Sequence, residues 1–106
     1  MMIYYTRLGE STLNDSKINT TAAGKYIVSG RTSVGTITGG GYVFSAWVPF
    51  GITFSDIPAV VATTSNANFR GTVSVYSLHS DTCMFRVDNL GTDQVTNLTV
   101  NWIAML

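Results

Sequence analysis

Charge is scarce in this chain. Asp, Glu, Lys and Arg make up 11% of its 106 residues, six basic against six acidic, so the formal net charge is zero. A typical globular domain carries about 25%. No cluster of Lys or Arg occurs anywhere in the sequence. Counterion release on nucleic acid and attraction to anionic lipid both need such a cluster, so no nucleic-acid partner is expected. No apolar run approaches the roughly 20 residues of a membrane span, so no membrane insertion is expected either. Met1 to Arg7 lack the charged segment followed by an apolar stretch that marks a signal peptide.

Cysteine and histidine are equally sparse. Cys83 stands alone, which excludes an internal disulfide. It lies in an apolar strand pattern and reads as a buried, inert thiol, in keeping with assembly in a reducing compartment. His79 is the single histidine. His79 and Asp81 are close in sequence, but two ligands do not make a metal site, so neither metal nor cofactor is expected. Ser77, His79, Ser80 and Asp81 supply the residue types of a nucleophilic site, yet neighbours along one strand cannot surround a single reacting atom. The carboxylates Glu10, Asp15, Asp56, Asp81, Asp88 and Asp93 lie near turns or in the polar N-terminal stretch, without the apolar surroundings that make a catalytic acid. The sequence has no Gly-x-Ser-x-Gly elbow, phosphate loop or dinucleotide fingerprint. No catalytic residue is assigned, and the chain is expected not to be an enzyme.

What remains is apolar and turn-forming. The apolar share of 45% supports one core, and the length fits one domain. So little charge on so small a domain predicts that neighbouring subunits cover part of its surface. Residues 1–24 are polar beyond a short apolar patch at Met2 to Tyr5 and read as an N-terminal arm or linker. Residues 25–106 read as the folded binding domain.

Within 25–106 the pattern has period two. Strands are expected at Tyr26 to Ser29, Ser33 to Thr38, Tyr42 to Phe50, Ala59 to Thr64, Thr72 to Leu78 and Cys83 to Asp88, with a last one through Leu98 to Leu106. Gly39-Gly40-Gly41, the loop Ser65-Asn66-Ala67-Asn68 and the turn Asn89 to Asp93 separate them. In the third strand, Tyr42, Phe44, Ala46, Val48 and Phe50 are expected on one face. Cys83, Phe85 and Val87 are expected to point one way, with Met84, Arg86 and Asp88 opposite. Leu98, Val100, Trp102, Ala104 and Leu106 form another apolar face. Ile103 and Met105 fall on its reverse and predict cover by another subunit or by the arm. Short strands without any amphipathic helix pattern indicate an all-β sandwich or barrel.

Sugar recognition suits such a chain, because it asks only for a few fixed donors and acceptors, often beside an aromatic face. Arg70, at a strand start beside the polar loop, offers a planar fork that can bind two hydroxyls.

Several segments carry a resemblance to the H-type lectin domain, and to related domains at the C-terminal ends of bacteriophage tail and baseplate proteins. Phe50 with Pro58-Ala59-Val60 is similar to the family's F…P-x-V segment. Asn68-Phe69-Arg70 followed by Val73-Ser74-Val75-Tyr76-Ser77 resembles its central strand. Thr82 to Phe85 resembles its T-G-F turn, with Cys83-Met84 in place of the glycine. Val100-Asn101-Trp102-Ile103-Ala104 is similar to its closing V-x-W-I-A. The resemblance implies a six-stranded antiparallel β-sandwich, a homotrimer and a sugar site between neighbouring subunits. It places Arg70 on a sugar-contacting arginine. Asn68, Thr92, Asp93, Gly39 and Gly40 complete the candidate carbohydrate-binding set. The family's acidic residue near Gly39 to Gly41 and its aromatic and histidine near Leu90 to Gln94 have no counterparts in this sequence.

The missing disulfide and the polar arm fit a phage structural protein. The expectation is a carbohydrate-binding attachment module of a phage tail or baseplate, located in the virion, trimeric, in contact with other virion proteins and with a host cell-surface saccharide. The alternatives are a structural virion tip without a ligand, or a secreted defence lectin. Glycans on the Asn14, Asn19 or Asn97 sequons would favour the last.

Overall fold

Strict alternation is clearest at residues 82–89, where Cys83, Phe85 and Val87 are buried and Met84, Arg86 and Asp88 face outward, as expected, and where Asn89, expected in the following turn, continues the buried series. A computed structural model describes residues 3–7, 14–20, 26–66 and 68–106 of the chain. The remainder of the expected arm, Lys25 and Ala67 of the expected polar loop lie outside the described residues. Nine strands are present among the described residues: β1 (Ile3–Arg7), β2 (Asn14–Thr20), β3 (Tyr26–Ile37), β4 (Tyr42–Phe44), β5 (Val48–Pro49), β6 (Ala59–Thr64), β7 (Gly71–Leu78), β8 (Thr82–Asn89) and β9 (Val95–Met105).

The strands form two antiparallel sheets. The first has the order β1-β2-β3-β9-β6. In the second, β8 is central; β7 pairs along one edge, and β4 and β5 share the other. Val28, Ile37, Leu98, Val100, Trp102 and Ala104 from the first sheet join Val48, Cys83, Phe85 and Val87 from the second in one buried cluster. Phe50 bridges the layers, its ring 5.6 Å from Trp102 and 5.6 Å from Phe54. Each such side chain contributes about 1.5–3 kcal/mol through removal from water. The all-β antiparallel architecture is therefore the one expected. Its six strands are recovered when β4 and β5 are counted as one interrupted strand, and the β1–β2 hairpin extends the first sheet beyond them.

Three local readings differ from the structure. The expected break at Gly30 does not occur, because Gly30 and Arg31 stay in the ladder opposite Trp102 and Asn101. The real irregularity comes later, at Gly35 (φ 76°) opposite the stretch containing Asn97 (φ 54°), where the β3–β9 register shifts. Tyr42 to Phe50 is not one strand with one apolar face. Phe44 pairs with Arg86 and Val48 with Cys83, so four steps on one strand match three on β8. The extra residue reverses the alternation. Tyr42 and Phe44 consequently point out, while Val48 and Phe50 point in. Finally, Leu106 lies past the end of β9 and is exposed, not part of its buried face.

Residues 14–20 pair in full register along β3, from Asn14 opposite Thr32 to Thr20 opposite Tyr26, and Ile18 is buried in the common core. The polar N-terminal segment thus supplies strands. Backbone pairing along an open sheet edge needs no apolar composition.

Candidate functional site

The candidate site forms at one end of the sandwich, where β8 hands over to the turn before β9. Asn89, the last residue of β8, is buried and polar. A buried carboxamide is stable only when its hydrogen bonds are made, and Asn89 makes them in three directions. Its Nδ2 donates to the Ile37 carbonyl at 3.2 Å and to the Asp93 carbonyl at 2.9 Å, and its Oδ1 accepts from the Gly91 N–H at 3.0 Å. One side chain thus ties the end of β3 to the turn 90–94.

Backbone bonds draw the neighbouring loops onto this knot. Asn89 N–H donates to the Gly41 carbonyl at 2.8 Å, Gly40 N–H to the Gly91 carbonyl at 3.0 Å, and Leu90 N–H to the Arg70 carbonyl at 2.8 Å. Gly39 lies flat against the Thr92 carbonyl, where any Cβ would overlap backbone atoms. Gly40 adopts a φ of 73°, which favours glycine.

Of the sequence-predicted residues, Gly39, Gly40, Arg70, Thr92 and Asp93 therefore come together on three adjoining segments, all of them solvent-exposed. Asn68 is exposed on the connection that leads into Arg70; its N–H binds the Asn66 side chain at 2.9 Å in a tight turn closed by Phe69 N–H to the Asn66 carbonyl at 3.1 Å. The exposed groups are a guanidinium, a carboxylate, a hydroxyl and an amide on a braced frame. Such a set can exchange hydrogen bonds with a hydroxylated ligand. Among the described residues no three His, Cys, Asp or Glu side chains converge as metal ligands. Burial pushes the Cys83 thiol up to about 12, which keeps it protonated and unreactive.

Sequence reasoning missed two features. Asn89 was readable as the fourth inward position in the series Cys83, Phe85, Val87, Asn89. The second is a cluster on the outer face of the β4-β8-β7 sheet. Tyr42, Phe44 and Tyr76 are exposed there, with ring centroids 5.6 Å apart for Tyr42–Phe44 and 4.5 Å for Phe44–Tyr76. The Arg86 guanidinium lies 4.1 Å over the Tyr42 ring and pairs with Asp88 at 2.9 Å. The Asp88 hydrogen bond raises the Arg86 pKa further. Nearby in sequence, Trp47 packs on His79 with ring centroids 5.4 Å apart.

No family model and no curated protein matches the sequence. Solved structures do match its fold. An N-truncated R1-type pyocin tail fibre superposes with a TM-score of 0.68 at 18% identity, covering 100% of this chain and 86% of the other. A Pseudomonas aeruginosa R1 pyocin fibre comprising C-terminal residues gives 0.67 at 18% identity, with this chain covering 28% of it. The Pseudomonas phage phi297 tailspike gp61 gives 0.60 at 15% identity over 76% of this chain and 15% of the tailspike. This chain thus shares its fold with parts of pyocin tail fibres and of a phage tailspike.

Proposed function

We propose that this chain is the receptor-binding module of a phage or phage-like tail, an H-type-lectin-like domain that recognises a saccharide on the host surface without chemically altering it. The observation that carries the reading is the fold shared with tail-fibre and tailspike chains. The knot of exposed polar loops around Asn89 supplies a place for the ligand. The module works in the virion tail, joined to other virion proteins. Residues 25–106 carry the binding site, and the segment 1–24, whose β1 and β2 extend the first sheet and whose Ile18 enters the core, meets the rest of the fibre or neighbouring subunits.

A homotrimer fits the surface. On the outer face of the first sheet, Ile103 sits opposite Val61, and Met105 lies between Ile27 and Ala59. Ile103, Val61 and Met105 are exposed. Packing between copies removes that apolar face from water. Three weak sites on one particle raise avidity by about 10² or more.

Arg70 and Asp93 are assigned the principal hydrogen bonds to sugar hydroxyls, with Asn68, Thr92 and the backbone at Gly39 and Gly40 lining the site. The test is binding to purified host cell-surface polysaccharide by biolayer interferometry. Arg70→Ala is expected to weaken binding about tenfold or more, the scale of one lost charge-assisted contact, with an unchanged circular dichroism spectrum. Full binding by Arg70→Ala would remove this end from the site. No binding across a broad glycan panel would favour a structural tip without a ligand.

A further inference from the structure

We infer that the outer face of the β4-β8-β7 sheet is a second saccharide site, distinct from the Asn89 end, on which an uncharged pyranose stacks against Tyr76, Phe44 and Tyr42 and is held at its rim by Arg86 and Asp88. The inference rests on the reading of the chain as a saccharide-binding module and adds a place and a ligand class to it.

Three observations carry it. The first is a continuous aromatic surface in water. Tyr42, Phe44 and Tyr76 are 54%, 41% and 60% exposed, and each touches the next. Aromatic faces left in solvent on one rigid sheet suit the C–H face of a sugar ring, which is apolar and flat.

The second is a fixed donor group with bonds to spare. Arg86 is stacked on Tyr42, and its Nε and Nη2 both bind Asp88. That uses two of the five guanidinium N–H groups, and the rest have no acceptor among the described residues. Their direction is already set by the stacking and the ion pair, so little side-chain entropy remains to be lost when a hydroxyl binds.

The third is charge. Arg86 and Asp88 neutralise each other at 2.9 Å, so the platform offers a donor and an acceptor but no net field. A neutral polyol complements that arrangement, whereas an acidic glycan meets the Asp88 carboxylate without a free cation. An apolar partner protein would strip water from both charges without replacing it. The uncharged Ile103, Val61 and Met105 face of the other sheet is the better subunit contact.

The experiment titrates the full-length 15N-labelled chain with neutral oligosaccharides (cellotetraose, mannotetraose and chitotetraose) and with a heparin tetrasaccharide as the charged control. At least one neutral sugar is expected to shift the amides of residues 42–44, 74–76 and 84–88. Tyr76→Ala should weaken that binding about tenfold, as loss of a stacking face does, and Arg70→Ala should leave it unchanged. Tyr76 is exposed, so its truncation leaves the core intact. Shifts confined to residues 38–41 and 90–94 would overturn the second site and leave the attachment reading standing. No shift with any of these sugars, heparin included, would overturn both. A response to heparin alone would overturn the neutral-ligand assignment, and dissociation of the oligomer by Tyr76→Ala would show that the platform is a subunit interface.

Discussion

Asn89 holds the site end together through three hydrogen bonds, and its loss exposes that dependence. In Asn89→Leu the carbonyls of Ile37 and Asp93 and the Gly91 N–H lose their partner, the first in a buried setting and the other two in a part-buried one. Each buried polar group left unpaired costs about 1–3 kcal/mol. Urea unfolding of Asn89→Leu should show a loss of about 2–3 kcal/mol. A loss below about 1 kcal/mol would mean that the loops stand without it. Cys83 gives a pH prediction. Its folded pKa is raised by burial to about 12 from an ordinary value of 9.0. The unfolded thiol ionises first, so the stability it contributes is complete below the ordinary value and declines as pH rises from there toward the folded value. The slope approaches about 1.4 kcal/mol per pH unit. Urea midpoints measured from pH 7 to 10 should fall above pH 9 more steeply for the natural chain than for Cys83→Ala; parallel curves would contradict the burial of the thiol.

Between elements, the most consequential feature is the bulge at Ser45. Its N–H donates to the Phe85 carbonyl at 2.8 Å, its Oγ accepts from the Phe85 N–H at 2.9 Å, and the same hydroxyl donates to the Ala46 carbonyl at 2.7 Å. The side chain thus replaces the ladder partner that the extra residue removes. Ser45→Ala leaves the buried Phe85 N–H unpaired and should destabilise by about 1–3 kcal/mol in urea unfolding. This bulge also marks where the sequence stops being legible. Cys83, Phe85 and Val87, and Leu98 through Ala104, could be oriented from alternation alone, because β8 and β9 are central strands whose own inward and outward positions alternate unbroken over these residues, the register irregularities falling on their partners. The inward or outward sense of Tyr42 and Phe44 depends on a register slip against β8, which no local pattern records. Placing those rings on the same face as Val48 and Phe50 concealed the aromatic platform. The strands at 3–7 and 14–20 were hidden for a related reason: β2 is held by backbone pairing to the free edge of β3 and β1 by pairing to β2, which Ser, Thr and Asn do not advertise. The candidate loops were readable as breakers at Gly39 to Gly41 and at Asn89 to Asp93. Their convergence required the fold, and Asn89 in particular looked like a turn residue until its position in the β8 alternation was fixed.

At the scale of the whole molecule, two outer sheet faces carry different chemistry. The β3-β9-β6 face is aliphatic around Ile103, Val61 and Met105, and the β4-β8-β7 face is aromatic with an internal ion pair. The first suits a copy of the same chain, the second a hydrated ligand. Light scattering of the purified chain should give the mass of about three subunits, the closed symmetry that also gathers several binding sites on one particle. Ile103→Glu, which places a charge on the aliphatic face, should lower that mass toward a single chain while Tyr76→Ala leaves it unchanged. The most direct test of the central claim is binding of the intact oligomer to purified surface polysaccharide from candidate host bacteria. The account predicts saturable binding that soluble fragments of the polysaccharide compete away and that Arg70→Ala weakens. Failure to bind any of these polysaccharides, by an oligomer shown to be folded, would contradict it.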